Sequence, residues 1–504
     1  MHRDGLARGA DFVEARELGR VTIEFSPFWV RFAATGREPA RCYPMERMPR
    51  FAWAAVPLCG TLLASSLDCS RAFSGARDGT PLRDGGVVDV VEPELPAPDA
   101  VAPPPSGLSF VTYHFDRART GWSDGESALV PSAIARGLGR AWVSTPLDDA
   151  AVAYSDSSGM HVETFPPRVF AAPLYLDDVT LATAPYAGAR ESVVLVGTSN
   201  DWVYGVAAAD APAADGGAPV IAAGTVLWRT QVGTPVYIPM LDSGMPLGVL
   251  STPFVDVATS PPTAYLTAAD ASAGWQVFAI DVASGAVLPG WPLAIDPARV
   301  AALDRNVPPG GTAPALEPPI TSSQRASVLL SSDRSTLYLS FASYYDGGIG
   351  WMVAVDVPSR RVTASFSGSP TAPVAPVTNR ASGGMWAASG PALASDGRIF
   401  MTTGNSPPTS VTAPGVWGNS FLAWKSDLTL DATYSPFNYC LMDSGDTDLG
   451  GSAAVVFDVD PSRTSTPHLA SFGGKQGVVY LVDRDRLGGT TVGRPPCDLV
   501  AVND

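Results

Sequence analysis

A short unit that recurs along the chain constrains the fold more than any other feature. In residues 275–287, WQVFAIDVASGAV, the side chains alternate between two faces as far as Asp281, which indicates a β-strand. Ser284 and Gly285 then predict a tight turn, because glycine readily adopts the positive φ that such a reversal needs. Residues 286–288 restart the chain as a second strand, so the unit is predicted to be a hairpin.

The hairpin has further copies, each preceded by another strand that ends in small residues. The copies are WMVAVDVPSRRV (351–362), SFLAWKSDLTL (420–430), YLVDRDRL (480–487) and a looser one at 203–226. Their aspartates, Asp281, Asp356 and Asp483, are predicted to shape the turns, and Lys425 replaces the aspartate in one copy. Four short strands per repeat are the sequence signature of a β-propeller, so we predict an all-β propeller with about five recognisable four-stranded blades.

The first 107 residues do not belong to this array. Residues 1–47 show no sustained period and are assigned no fold. Residues 48–69 are predicted to be a signal peptide, because a basic flank precedes the apolar run 51–64 and small residues follow it; the alternative is a buried apolar element. Residues 70–107 are acidic and rich in proline, which predicts a disordered tether. The propeller domain is predicted to span 108–504, and its location is predicted to be the periplasm, the cell envelope or the exterior.

Composition narrows the choice of partners. The formal net charge is −16 and the chain has only two lysines, Lys425 and Lys475, so nucleic-acid binding is not expected. The mature chain is predicted to have no transmembrane span. The four histidines are far apart and do not have the spacing of a zinc site. Cys440 and Cys497 could form one disulfide in an oxidising compartment.

Several short sequence motifs resemble those of a known protein family. They are FDRARTG (115–121), FAAPLY (170–175), STPFVD (251–256), GGMW (383–386), TTGNS (402–406), DTDLGGS (446–452) and GKQGVVYLVDRDRLGG (474–489). With the turn of residues 279–285, these phrases resemble the repeats of secreted bacterial PQQ-like propeller proteins, in the quinoprotein alcohol dehydrogenase-like superfamily. The resemblance implies a propeller of PQQ-like blades, most of whose members have no assigned activity.

A working quinoprotein dehydrogenase implies a cofactor sandwich, a Ca²⁺ held by carboxylate and amide oxygens, and an aspartate base. The candidate calcium ligands are Asp443, Asp446 and Asp448; the alternative is that they cap strand ends and accept turn hydrogen bonds. The candidate cofactor residues are Trp351, Trp386 and Lys475, with packing between blades as the alternative for the aromatic residues and an exposed turn for the lysine.

Two functional hypotheses follow. The first is an exported or envelope-tethered binding or scaffolding module that recognises a protein or a carbohydrate and performs no chemistry. The second is a divergent dehydrogenase that depends on PQQ and calcium. The chain lacks the adjacent cysteine pair that caps the quinone in the alcohol dehydrogenases, which favours the first hypothesis. Convergence of carboxylates with a stacking aromatic residue at the propeller axis would favour the second.

About five blades are recognisable in the sequence, and two explanations fit that number. Either the reading frame is truncated from a larger propeller, or a small propeller is closed by strands near Phe110 and Trp142.

Overall fold

The computed structural model describes residues 108–497, except 124, 126–128, 136, 138, 157, 211–220, 239–244, 309–310, 312, 345–347, 371–382 and 407–412. Within residues 1–107 it describes only the backbones of three strands, so the predicted signal peptide (48–69) and tether (70–107) lie outside the described residues. Contacts divide the chain into a unit of residues 1–92 and a unit of residues 93–504. In the first unit, to which the sequence assigned no fold, the three strands form an antiparallel sheet: β1 Val21–Phe25, β2 Trp29–Ala34 and β3 Arg41–Pro44.

The described part of the second unit is mostly antiparallel strands, as an all-β fold requires. Its main elements are five successive sheets, here numbered I to V. Sheet I contains β6 Leu174–Thr180, β7 Arg190–Gly197, β8 Trp202–Ala207 and β9 Val226–Gln231. Sheet II contains β12 Phe254–Asp256, β13 Thr263–Asp270, β14 Gly274–Asp281 and β15 Leu293–Ala294.

Sheet III contains β16 Ser322–Ser323, β17 Leu329–Leu330, β18 Thr336–Ser343, β19 Trp351–Asp356 and β20 Arg361–Ser367. Sheet IV contains β21 Ala392–Leu393, β22 Ile399–Thr402, β23 Phe421–Trp424 and β24 Leu430–Tyr434. Sheet V contains β25 Val455–Asp458, β26 His468–Gly473 and β27 Val479–Asp483.

The smaller elements lie between and before these sheets. Two hairpins are β4 Ala150–Asp156 with β5 Gly159–Phe165, and β10 Val236–Ile238 with β11 Met245–Leu247. The helices are short: α1 Pro131–Ile134, α2 Pro297–Ala302, α3 Tyr439–Gly445 and the 3-10 turn Leu449–Gly451.

Alternation along each strand explains how neighbouring sheets pack. On β14, Phe278 and Ile280 belong to the apolar cluster between sheets I and II, whereas Val277 and Ala279 belong to the cluster between sheets II and III. Two further clusters join sheets III and IV, and sheets IV and V. Because each inner sheet has neighbours on both faces, both faces of its central strands are covered, and every residue of β13 is buried.

The segment 110–119 contacts the first strands of the sheets, a feature that the sequence did not predict. The backbone bonds run from Phe110 N to Tyr175 O, from Val255 N to Val111 O, from Leu393 N to Arg117 O and from Val456 N to Ala118 O, reaching sheets I, II, IV and V. The buried Arg119 guanidinium reaches Val328 O, next to β17 of sheet III, at 3.3 Å. Burial lowers the pKa of Arg119 to about 9.

This segment overturns the expectation of strands near Phe110 and Trp142. Neither residue lies in a strand, because the segment forms one or two bonds with each sheet in turn and so builds no ladder with any of them. Closure of a small propeller by these strands is therefore wrong. Among the described residues β27 pairs only with β26, so the array is not closed there.

The turn of the repeated unit has the predicted conformation. Gly285 has a φ of +75°, and its amide donates to the Asp281 carbonyl over 2.7 Å. The Asp281 carboxylate accepts hydrogen bonds from Ala283 N at 2.8 Å and from the Ser284 hydroxyl at 2.6 Å. The structural role predicted for Asp281 is confirmed.

Gly285→Ala is expected to lower the free energy of unfolding by about 2–5 kcal/mol, because the left-handed backbone costs an alanine about 1–2 kcal/mol and overpacking adds about 1–3 kcal/mol. A Cβ atom at Gly285 would lie 2.4 Å from Trp228 Cε3. Gly274→Ala is the matched control, since Gly274 has a φ of +76° and no atom within 4 Å of an added Cβ. Urea unfolding measures both variants, and equal losses would contradict the contact with Trp228.

Candidate functional site

The candidate site lies where loops of sheets IV and V meet. These loops are 403–406 after β22, 417–420 before β23, 446–451 after α3, and 474–476 after β26. Glycines allow their backbones to touch: a Cβ atom would lie 2.6 Å from Gly404 N at Gly450, and 2.4 Å from Asp448 O at Gly474. Any other residue at either position would force the loops apart.

Asp448 is the buried carboxylate of the site. Its Oδ1 accepts a hydrogen bond from Asn405 N at 2.7 Å, and its Oδ2 lies 2.8 Å from Lys475 Nζ. The Asp448 side chain is only 5% exposed. Lys475 N also donates to Asp448 O over 2.9 Å, which fixes both residues relative to each other. This arrangement places a carboxylate beside an ammonium group at a partly open position.

Asp446 lies at the outer side of the same ammonium group. Its Oδ1 is 3.2 Å from Lys475 Nζ and accepts a 3.4 Å hydrogen bond from Asn405 Nδ2. Asp446 ends α3 with a φ of +52°, and its side chain is 62% exposed. Its contribution to stability is therefore small, because solvent screens an exposed ion pair.

Lys475 and Trp386 form one wall of the site. Nζ of Lys475 lies 5.9 Å from the centroid of the half-buried Trp386 ring, within the range of a cation–π contact. Burial alone would lower the pKa of Lys475, but hydrogen bonds and charges from Asp448 and then Asp446 outweigh it and raise that pKa. The ammonium group therefore stays protonated beyond its usual range.

Glycine backbone packs closely beside Trp386. A Cβ atom at Gly451 would lie 3.6 Å from Trp386 Cη2, and one at Gly404 would lie 3.0 Å from Trp386 Nε1 and 3.2 Å from Asp448 Oδ1. Glycine at Gly404 thus lets the backbone approach both the ring and the buried carboxylate.

Asp443 lies apart from this group of side chains and has a structural environment. Its Oδ2 forms a 2.9 Å ion pair with Arg494, and both side chains have no exposed surface. Its Oδ1 accepts hydrogen bonds from Ser406 N and Asn419 Nδ2, each at 2.9 Å. Burial raises the pKa of the Asp443 carboxyl, and the charge of Arg494 opposes that rise. The carboxylate holds loops together and has no free side for a ligand.

Asn419 and the disulfide complete this support. Asn419 Nδ2 donates to Asp443 of α3, and Asn419 Oδ1 accepts a 2.7 Å hydrogen bond from Leu449 N, so Asn419 ties α3 to the loop that carries Asp448. Cys440 and Cys497 form a disulfide with a Cα–Cα distance of 6.0 Å, which anchors the segment containing Arg494 to α3.

The structure brings together only some of the predicted residues. Trp386, Lys475, Asp446 and Asp448 converge, whereas Asp443 is bound to Arg494. Trp351 is fully buried in the apolar cluster between sheets II and III. Asn405 was not singled out as a site residue; its signal was present in the phrase TTGNS, where a polar residue follows glycine directly after a buried strand.

The polar groups of the site are better suited to a planar anionic molecule than to a calcium ion bound by the protein alone. Asp446, Asp448 and the amide of Asn405 supply fewer oxygen atoms than the six to eight that calcium takes. In the part of the chain that the structure describes, no group of three or more acidic, histidine or cysteine side chains is arranged to hold a metal. The remaining ligands would have to come from a bound molecule and from water. The half-buried Trp386 ring and the Lys475 ammonium group suit a flat ligand that carries carboxylates, such as a quinone.

No described helix is both long enough and apolar enough to cross a membrane.

Comparison with known proteins gave structural neighbours only. No family model matches the chain, and no curated protein matches its sequence. It is similar to the quinohemoprotein alcohol dehydrogenase from Comamonas testosteroni, with 14% identity, a TM-score of 0.44 and coverage of 75% of this chain and 48% of that one. It is also similar to a europium-containing methanol dehydrogenase, with 13% identity, a TM-score of 0.46 and coverage of 75% and 57%. The chain thus matches about half the length of these two proteins.

Proposed function

We propose that this protein is a divergent quinoprotein oxidoreductase that binds PQQ and calcium at the Trp386–Lys475 site. The observation that carries the proposal is that the Trp386 ring, the Lys475 ammonium group and the Asp448 carboxylate lie together. Carboxylates beside an aromatic ring are one part of the feature that would distinguish a dehydrogenase from a binding module with no chemistry.

Each residue would have a separate task. Trp386 would stack on one face of the cofactor, and Lys475 would pair with its negative charge. Oxygens of Asp448, Asn405 and Asp446 would contribute to the calcium shell. When bound, PQQ would supply the two-electron oxidant that no amino-acid side chain provides, with an added dye taking up the electrons.

Asp448 is the best-placed proton acceptor. The hydrogen bond from Asn405 N and the contact with Lys475 hold its two oxygens in a fixed orientation. Each carboxylate oxygen has two lone pairs, so both can still accept another hydrogen. A substrate hydroxyl bound beside Asp448 would give its proton to this carboxylate as the substrate is oxidised.

We also propose that sheets I to V are about five blades of a PQQ-like propeller. The support is that successive sheets pack face to face and that the segment 110–119 contacts the first strand of each or its flank. Export remains a proposal that rests on the signal-like run 51–64.

A dye-linked assay tests the function. Purified protein is supplied with PQQ and Ca²⁺ and offered primary alcohols and aldose sugars. We expect reduction of the dye that requires PQQ and disappears when calcium is chelated. If the protein binds PQQ but oxidises none of these substrates, the proposed oxidoreductase activity is contradicted and the binding-module hypothesis remains.

That second function has one observation in its favour. Both Asp448 oxygens already have partners inside the protein, so the site could hold an anionic planar ligand without performing chemistry. In that case PQQ would bind and no substrate would be oxidised.

A further inference from the structure

A second carboxylate site lies between sheets I and II, away from the candidate site. Asp201 occupies the turn between β7 and β8, with a φ of +58° and no exposed surface. Among the described residues, no hydrogen-bond partner reaches either of its carboxylate oxygens. A buried polar group without a partner is rare in folded proteins and requires an explanation, such as an ion or a water molecule.

Asp270 of sheet II provides the second carboxylate. Its Oδ1 accepts hydrogen bonds from Ser272 N at 2.8 Å and Ala273 N at 2.7 Å, and its Oδ2 accepts one from Thr234 N at 2.8 Å. Burial alone would raise the pKa of Asp270, but these hydrogen bonds outweigh it and lower that pKa. The hydrogen bonds hold the Asp270 carboxylate in a fixed orientation.

Glycine leaves a space between the two carboxylates. The position that a Cβ atom would take at Gly233 lies 3.1 Å from Asp270 Oδ2 and 3.3 Å from Asp201 Oδ2. On the other side of Asp201, a Cβ atom at Gly248 would lie 2.2 Å from Oδ1. The gap is thus bordered by oxygen atoms and glycine backbone.

A proton alone does not satisfy this arrangement. Burial, and then the charge of Asp270, raise the pKa of Asp201 well above its ordinary value. A protonated Asp201 would carry a hydroxyl that could donate to a neighbouring acceptor such as Asp270, but its carbonyl oxygen would still have no donor among the described residues. A cation between the carboxylates would instead neutralise both charges and contact oxygens of both residues.

We propose that Asp201 and Asp270 bind a divalent hard cation, calcium, that joins sheets I and II. All of the side-chain ligands are oxygen atoms, which calcium prefers, and two carboxylates match its charge of two. Water and backbone carbonyls would complete its shell. The site is separate from the Trp386–Lys475 site, and neither proposal depends on the other.

The test measures calcium binding and the thermal midpoint of the full-length chain after removal of metal with a chelator. Calcium is expected to raise the midpoint of the wild type. Asp201→Asn and Asp270→Asn are expected to weaken this calcium effect by roughly tenfold or more in calcium concentration, because ligand charge sets calcium affinity. Asp333→Asn, which changes an exposed aspartate in the turn between β17 and β18, is the control and should keep the response.

Two outcomes would overturn the proposal: no calcium response in the wild type, or an undiminished response in Asp201→Asn. Asp201→Asn is expected to fold without metal, since it removes a buried charge and keeps the shape of the side chain. Gly233→Ala provides a second variant, because its methyl group would occupy the gap and should also remove the calcium response. An unchanged calcium response in Gly233→Ala would show that the cation does not lie between these carboxylates.

Discussion

Asp448→Asn is expected to reduce PQQ-dependent turnover by roughly 10²–10⁴-fold, the usual contribution of a general base. The asparagine side chain can still accept the hydrogen bond from Asn405 N, but it cannot take a proton from a substrate. The dye-linked rate at saturating PQQ, calcium and substrate measures the effect. The thermal midpoint should change little, which separates lost chemistry from lost folding.

Asp446→Asn is the matched control for that variant. Asp446 contacts the same ammonium group, but its side chain is 62% exposed, whereas that of Asp448 is 5% exposed. We expect a loss of turnover smaller than about tenfold, as for a screened surface charge. Equal losses in the two variants would contradict the assignment of Asp448 as the proton acceptor.

Arg494→Met is expected to lower the free energy of unfolding by about 3–5 kcal/mol, because it leaves a buried carboxylate without its partner. Both Asp443 and Arg494 have no exposed side-chain surface, and Arg494 NH1 also donates to Gly418 O at 2.7 Å. Denaturant unfolding with the disulfide intact measures the change.

The double variant Arg494→Met with Asp443→Leu should recover much of that loss, since a buried ion pair is often replaceable by apolar groups. Arg486→Met is the surface control. The Arg486 side chain is 80% exposed, and its Nε lies 3.9 Å from Asp483 Oδ2. We therefore expect this variant to lose about 0.5 kcal/mol or less of the free energy of unfolding. If Arg494→Met costs no more than this control, the buried pair does not support the site.

The sequence predicted the local features of the fold. Alternation in residues 275–281 was enough to place a strand, and Gly285 was enough to place its turn, because both signals depend on near neighbours in the chain. The segment 110–119 was predicted wrongly as strand. Its conformation is decided by single hydrogen bonds to sheets that lie far away in the sequence, and no local pattern records them.

The candidate site was only partly predictable for the same reason. Asp446 and Asp448 were visible as one acidic phrase, but their pairing with Lys475 depends on the packing of sheet V against sheet IV. In the sequence, Asp443 is indistinguishable from these two aspartates. Only the structure shows that it pairs with Arg494, 51 residues away. In the sequence, Trp351 and Trp386 both follow glycine-rich stretches, and only the packing distinguishes the buried tryptophan from the half-buried one.

Titration of tryptophan fluorescence with PQQ in the presence of calcium tests the central claim most directly. We expect PQQ to quench the tryptophan fluorescence of the wild type saturably, and we expect Trp386→Phe to reduce this quenching. Lys475→Met should weaken binding by about 10- to 100-fold, the equivalent of the 1.5–3 kcal/mol of a charge-assisted hydrogen bond. Lys425→Met, which removes a 62% exposed lysine of sheet IV, should bind like the wild type. Equal affinity in Lys475→Met and Lys425→Met, or no binding by the wild type, would contradict a quinone site at Trp386 and Lys475.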